Sequence, residues 1–261
     1  MKSLFSSLKV MSKVIYALMM REIITRYGRK NIGFLWIFAE PLILIIGVTI
    51  IWSYFRPMAA EGFPIQAFIF TGWVANKLWI LTVGRTMAGI NANLKLLYHR
   101  NIKPMDILLS RIFLEITAIT GVFILLGFVF AMSHIIDIPY DFFYIVVGWY
   151  LMAWFAFGLA FLIASVNILT ENLFQRIWSP LSLGLFIASG TFFLVEWLPV
   201  DVRPYFLLLP TIHNLEMIRY GFFGNVMHPY FDILYSVMCN IFIMFFGLLT
   251  FKLTERKILA E

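Results

Sequence analysis

The chain has 261 residues, of which 62% are hydrophobic and 13% charged, about half the charged share of a soluble domain. That balance excludes an ordinary water-soluble protein, and continuous apolar runs of about 18 residues or more exclude a barrel, whose strands alternate. The net charge of +6 leaves nucleic acid open until its distribution is read, and the single Cys239 can form no intrachain disulfide.

Residues 3–19 read as an amphipathic helix lying on the membrane surface. Leu4, Leu8, Met11, Ile15, Leu18 and Met19 recur on one face, with Lys2, Lys9 and Lys13 opposite. Lys13 and Arg21 interrupt the stretch and no small-x-small site follows, so the element is expected to stay in the mature protein. A basic hinge with Arg21, Arg26, Arg29 and Lys30 follows, which makes residues 3–30 an interface helix and hinge.

Six spans are expected at about 34–55, 65–83, 107–133, 142–166, 178–194 and 230–251. Between the fifth and sixth, residues 195–229 hold Pro199, Pro204, Pro210 and Pro229. This stretch is too broken for a plain crossing and too apolar for a solvated loop, which fits re-entrant helices. The expected fold is therefore an all-α integral membrane protein: one domain over 1–261, six transmembrane helices and a re-entrant outer segment.

Lys and Arg set the orientation. Between successive spans they fall sixteen on one side and three on the other, with Lys77 inside a span. Both termini are expected in the cytoplasm. The positive charge is thus a topology signal, and no nucleic-acid partner is expected.

Catalytic signatures are absent: no HExxH, GxSxG or CxxC occurs. Ser189 in "IASG" would need a base at hydrogen-bond distance to act as a nucleophile, and the four histidines lie in loops, at span ends or in the broken stretch. No GxxxxGK[ST] phosphate loop occurs either, so any ATP must be bound by another chain.

The longest inner connection, 84–106, reads "GRTMAGINANLKLLYHRNIKPMD". It exceeds what a tether needs. Lys95, Tyr98, His99 and Arg100 suit either a docking surface or a helix on anionic headgroups. Pro104 redirects the chain and Asp106 suits the positive end of the next helix.

The stretches "MMREIITRYGRKNIGFLWIFAEPLI", "HRNIKPMDILLSRIFLE" and "ASGTFFLVEWLPVDVRPYFLLLPTIHNLEMIRYGFF", with the closing "LTERK", resemble the permease subunit of capsular-polysaccharide ABC exporters. That class also includes O-antigen and teichoic-acid export permeases. The resemblance implies a permease homodimer in the bacterial inner membrane with two copies of a separate ATPase subunit, which carries ATP and Mg, so this chain binds no cofactor itself. It implies a coupling helix at about 91–101, with Leu94, Lys95, Tyr98, His99, Arg100 and Asn101 as ATPase contacts. It implies lipid-linked polysaccharide as substrate and a periplasmic co-polymerase as a further partner. An O-antigen or teichoic-acid permease is the alternative within the class. A secondary transporter would need midplane ion-coupling residues and usually an inverted repeat, and neither is visible.

Five residues are candidates for a channel or gate: Glu40, Pro41, Lys77, Arg111 and Glu115. Glu40 lies about 9 Å along its span, and Lys77 lies at a matching depth. Arg111 and Glu115 share a face one turn apart. Two readings stand: Glu40 pairs with Lys77 beside Arg111 and Glu115 as a polar lining at the cytoplasmic mouth, or the charges snorkel. Pro41 leaves the Ile37 carbonyl without its helical donor, which makes either a gate hinge or a static kink. Aromatic belts account for Trp52, Tyr54, Trp149 and Tyr150. Trp36, Phe70, Trp73 and Phe193 are the candidates for stacking on sugar rings.

Overall fold

The computed structural model describes the backbone of residues 2–27, 32–55, 65–93 and 102–258, and every described element is helical. In chain order these are α1 (Lys2–Tyr27), α2 (Ile32–Phe55), α3 (Ile65–Met87), α4 (Gly89–Ala92), α5 (Pro104–Met132), α6 (Phe142–Leu169), α7 (Phe174–Ala188), α8 (Arg203–Phe206), α9 (Pro210–Phe223) and α10 (Ile233–Ile258). Short 3₁₀ turns at Val195–Trp197 and Gly224–Val226 flank α8 and α9.

Four of the described helices are long and apolar enough to cross a membrane: Ile65–Met87, Pro104–Met132, Phe142–Leu169 and Ile233–Glu255. α2 is a 24-residue helix whose described apolar stretch is Phe38–Val48. It passes through Pro41 as one helix. The expected fifth span becomes α7, which has only 15 residues and ends at Ala188. At 1.5 Å per residue that is about 22 Å, short of a ~30 Å hydrocarbon core.

α3 is the axis of the bundle and α6 its second pillar. α6 packs against α3, α9 and α10, and α3 also contacts α2, α5 and α9. Small residues permit the closest approaches. A Cβ at Gly247 would stand 2.6 Å from the Gly158 carbonyl oxygen, so α6 and α10 meet backbone to backbone. Buried rings fill the centre: Phe123 stacks on Trp149 at 4.1 Å and on Phe70 at 5.1 Å.

Helix ends follow local chemistry. Pro104 opens α5, and the Asp106 carboxylate accepts from the Lys103 amide at 3.0 Å. Asp141 caps α6 by accepting from the Phe143 amide at 2.8 Å. Glu171 and Asn172 take positive φ in the tight α6–α7 turn, where Asn167 Oδ1 accepts from the Gln175 amide at 2.9 Å.

One boundary needs correction. The expected hinge at 20–32 is helical through Tyr27, so Arg21 and Arg26 belong to α1. No glycine or proline occurs before Gly28, and nothing in the sequence stops the helix earlier. α1 also uses its apolar face differently from the expectation. Ile15 is buried and Leu18 and Met19 pack on the core, while Met11 is exposed. A second stripe of Tyr16, Met20 and Ile24 points away from the bundle.

Candidate functional site

Two groups of polar side chains sit at opposite ends of the bundle, and each joins elements that are distant in sequence. At the end carrying α1, four charges interlock. Arg26 pairs with Glu22 at 3.1 Å and with Glu115. Arg111 pairs with Glu22 at 3.2 Å and donates to the Arg85 carbonyl at 2.8 Å. Arg111 and Glu115 thus share a face of α5, as their spacing requires, but each bonds to α1 rather than to the other. Arg21 donates to Asn93 Oδ1 at 2.9 Å, at the last described residue before 94–101. Through these bonds α1 is fastened to α5 and to the chain just after α4, while Arg111 ties α5 to the end of α3.

Glu40 and Lys77 form their own pair, with Nζ 2.5 Å from Oε1. The ammonium also stands 5.0 Å above the Trp73 ring. Of the two readings of these charges, the structure has the paired one. The expectation that they join Arg111 and Glu115 in one group does not hold, because the latter pair is taken up by Glu22 and Arg26. Sequence reading missed those two partners. Their i, i+4 spacing was the available signal, but assigning them to a hinge hid it.

At the opposite end the proline-broken segment is held by buried polar groups. α7 stops near the middle of α3, where Asn76 donates to Thr191 Oγ1 at 3.0 Å and accepts from Trp79 Nε1 at 2.8 Å. The turn that follows has non-helical carbonyls, and Arg219 meets three of them. Its guanidinium donates to Gly190 O at 2.7 Å, Phe193 O at 2.8 Å and Thr191 O at 2.9 Å. Arg219 has no exposed surface and lies 4.0 Å over the Phe68 ring. It counts in sequence as one of the few outer loop charges; the structure makes it an internal anchor. Gly190 takes φ +82°, a conformation side-chain-bearing residues rarely adopt, and a Cβ at Gly72 would stand 2.6 Å from both the Arg219 guanidinium and Thr191 O.

Arg203 holds the rest of the loop, donating to Leu198 O at 2.9 Å, Glu196 O at 2.8 Å and Tyr230 Oη at 2.7 Å. His213 Nδ1 accepts from the Asp232 amide at 2.9 Å while Nε2 bonds the Leu207 carbonyl at 2.7 Å. That pins one tautomer and joins α9 to the start of α10. Ser189 donates to the Phe186 carbonyl at 2.8 Å, a helix-end bond rather than an activated hydroxyl.

The remaining candidates divide. Phe70 is a correction: it has no exposed surface and its ring is packed by Phe123, Phe130 and Phe222, so no face is open to a sugar. Trp73 is half-buried, edge to face with Phe186 of α7 at 5.1 Å. Phe193 is half-buried against Phe206 at 5.3 Å. The backbone at Trp36 lies in α2, but its side chain falls outside the described residues. Leu94, Lys95, Tyr98, His99, Arg100 and Asn101 all fall outside them as well.

No protein-family model matches the chain. Individual relatives do. The chain is 40% identical over 246 residues to the capsule polysaccharide export inner-membrane protein CtrC of Neisseria meningitidis serogroup A, covering 94% of this chain and 92% of that protein. This chain belongs to the family of capsule polysaccharide export inner-membrane proteins. Within the family, BexB of Haemophilus influenzae is 39% identical over the same 246 residues, with the same coverage. The polysialic acid transport protein KpsM of Escherichia coli is 26% identical over 261 residues, 98% of this chain and 99% of that one. The shared length takes in both polar groups, so the family relation extends over the whole bundle.

Proposed function

We infer that this chain is the membrane-spanning permease subunit of an ATP-driven exporter, moving lipid-linked capsular polysaccharide out of the cytoplasm across the inner membrane. The observation that carries the reading is near full-length similarity to proteins named for capsule polysaccharide export in the inner membrane. The same names favour capsule over O-antigen or teichoic-acid chains.

The working topology has six crossings with both termini in the cytoplasm. α2 is one crossing beyond the four long apolar helices; α7, too short to cross alone, makes the other together with the non-helical stretch after Ala188, and 195–229 is a re-entrant segment. Arg219 supports the last point. Non-helical backbone at membrane depth is tolerated only where protein satisfies it, and a buried guanidinium on three carbonyls does that. One six-helix protomer is too small to enclose a glycan and its lipid, so the functional unit is a homodimer. Two copies of a separate ATPase subunit lie beneath it, and a periplasmic co-polymerase receives the product. ATP and Mg bind the ATPase; this chain is a transport component without a cofactor.

The ion-paired end suggests how force enters. Segment 94–101, with Leu94, Lys95, Tyr98, His99, Arg100 and Asn101, contacts the ATPase. Asn93 sits directly before it and is tied to Arg21. Arg26, Glu22, Arg111 and Glu115 then carry the same displacement into α5. Closure of the ATPases would tilt α1, α4 and α5 as one body and part the two protomers. Glu40, Pro41 and Lys77 line the mouth of that path. Co-purification with a candidate ATPase subunit tests the reading. ATP turnover should rise in the complex, and substitutions across Tyr98–Arg100 should abolish surface capsule while leaving turnover. Intact export after those substitutions would remove the docking role.

A further inference from the structure

We propose that Glu40 and Lys77 form a glycan-transfer site, where the Lys77 ammonium passes from Glu40 to the acidic groups of the moving polysaccharide. The proposal rests on the exporter reading and deepens it.

The argument begins with α3. From Ala67 to Val83 it is buried throughout except at Trp73, Lys77, Ile80 and Leu81, and Gly84 continues the same stripe at i+11. Among the described residues, nothing beyond its own helix backbone and chain neighbours lies within 4 Å of where a Cβ at Gly84 would stand. α2 brings Glu40 to one side of this stripe, and α7 touches its Trp73 end through Phe186. The only charges on the stripe within the helix body belong to an ion pair, and that pair is not sealed in. The Lys77 side chain is 23% exposed and that of Glu40 is 42% exposed. Among the described residues, Glu40 Oε2 accepts no hydrogen bond.

A carboxylate left this open cannot face hydrocarbon without a large cost, so the stripe faces a polar path. The chemistry of the pair then selects what can use it. An ammonium has three donors and no acceptor, and a carboxylate only accepts. Sugar hydroxyls donate to Glu40, while a glycan carboxylate or phosphodiester competes with Glu40 for Lys77. Trp73 steadies the ammonium on one side, so it can change partners without losing its place. Because the pair is neutral overall, an acidic chain is held at each step but released again. A transport path needs binding strong enough to admit its cargo and weak enough to pass it on. A lone lysine would trap the chain, and Glu40 is the built-in competitor.

The two charges therefore have opposite predicted effects. The permease–ATPase complex is isolated from capsule-producing cells and arrested with a non-hydrolysable ATP analogue. It is washed in about 0.3 M salt, and acidic sugar retained per dimer is measured. Glu40→Gln should retain about tenfold more acidic glycan than the unsubstituted complex, and export more slowly. Lys77→Met should retain about tenfold less. The excess on Glu40→Gln should fall as salt rises. Equal retention by both variants and the parent overturns the proposal. So does a parallel loss in both, which a purely structural ion pair would give. A size-exclusion profile and permease-to-ATPase ratio matching the unsubstituted complex show that each variant complex is folded. Failure of the exporter reading looks different: the unsubstituted complex then retains no glycan, and cells depending on it display no capsule.

Discussion

Replacing Arg26 by Glu separates α1 from the bundle if the ion-paired group is what holds it there. The Glu115 side chain is 4% exposed and that of Arg26 is 12% exposed, so their pair is desolvated on both sides. Removing one partner leaves the other charge buried without compensation, a loss of about 3–5 kcal/mol. Arg26→Glu adds a third carboxylate beside Glu22 and Glu115, which places it at the upper end of that range. A change of about 4 kcal/mol corresponds to roughly a thousandfold in the docked fraction of α1. Hydrogen exchange on the permease in lipid nanodiscs reads this directly, because amides of α1 exchange through local opening. Exchange across residues 10–27 should accelerate by about that factor in Arg26→Glu and in Glu115→Arg. The double variant should recover at least half of the loss, since the pair is rebuilt with its signs reversed. It will not recover everything, because Glu22 and Arg111 then each face a like charge one turn away. If either single variant leaves α1 exchange unchanged, or the double is as loose as the singles, the ion pairs do not hold α1 and the coupling route proposed through Asn93 and Arg21 loses its support.

Arg219→Met removes the donors to three carbonyls of the Gly190–Phe193 turn and should destabilise the purified protein by about 3 kcal/mol or more, read as a drop in thermal unfolding temperature. Arg219→Lys should fare nearly as badly, since one ammonium cannot reproduce the planar fork. Gly247→Leu drives a side chain into the Gly158 carbonyl and should separate α6 from α10, seen as loss of folded protein on size-exclusion chromatography; Gly84→Leu, where space is open, should not.

The contrast between Glu40 and Arg219 shows what could be read from sequence. Glu40 and Lys77 are rare charges in apolar runs. The 1.5 Å rise of a helix puts them at matching positions along their expected spans, so pairing was one of two readings open without knowing the fold, and packing of α2 on α3 chose it. The long apolar helices were legible because hydrocarbon tolerates only apolar side chains over a fixed length, which writes each span into composition. Arg219 looked like an ordinary loop charge, because nothing local reveals that the turn at Gly190 lies across from α9. Phe70 looked like any aromatic that a sugar might use, and only packing against Phe123, Phe130 and Phe222 removes it.

Sequence alone thus determined the medium and the helical class, because those depend on composition and run length, and the family, because its characteristic stretches can be matched without a fold. Tertiary structure decided who meets whom. It set Glu22 and Arg26 of α1 against α5, gave three carbonyls to Arg219, and left Glu40 of α2 and Lys77 of α3 half-open against each other. Those contacts join residues far apart in the chain, and their energies exist only once the helices have packed.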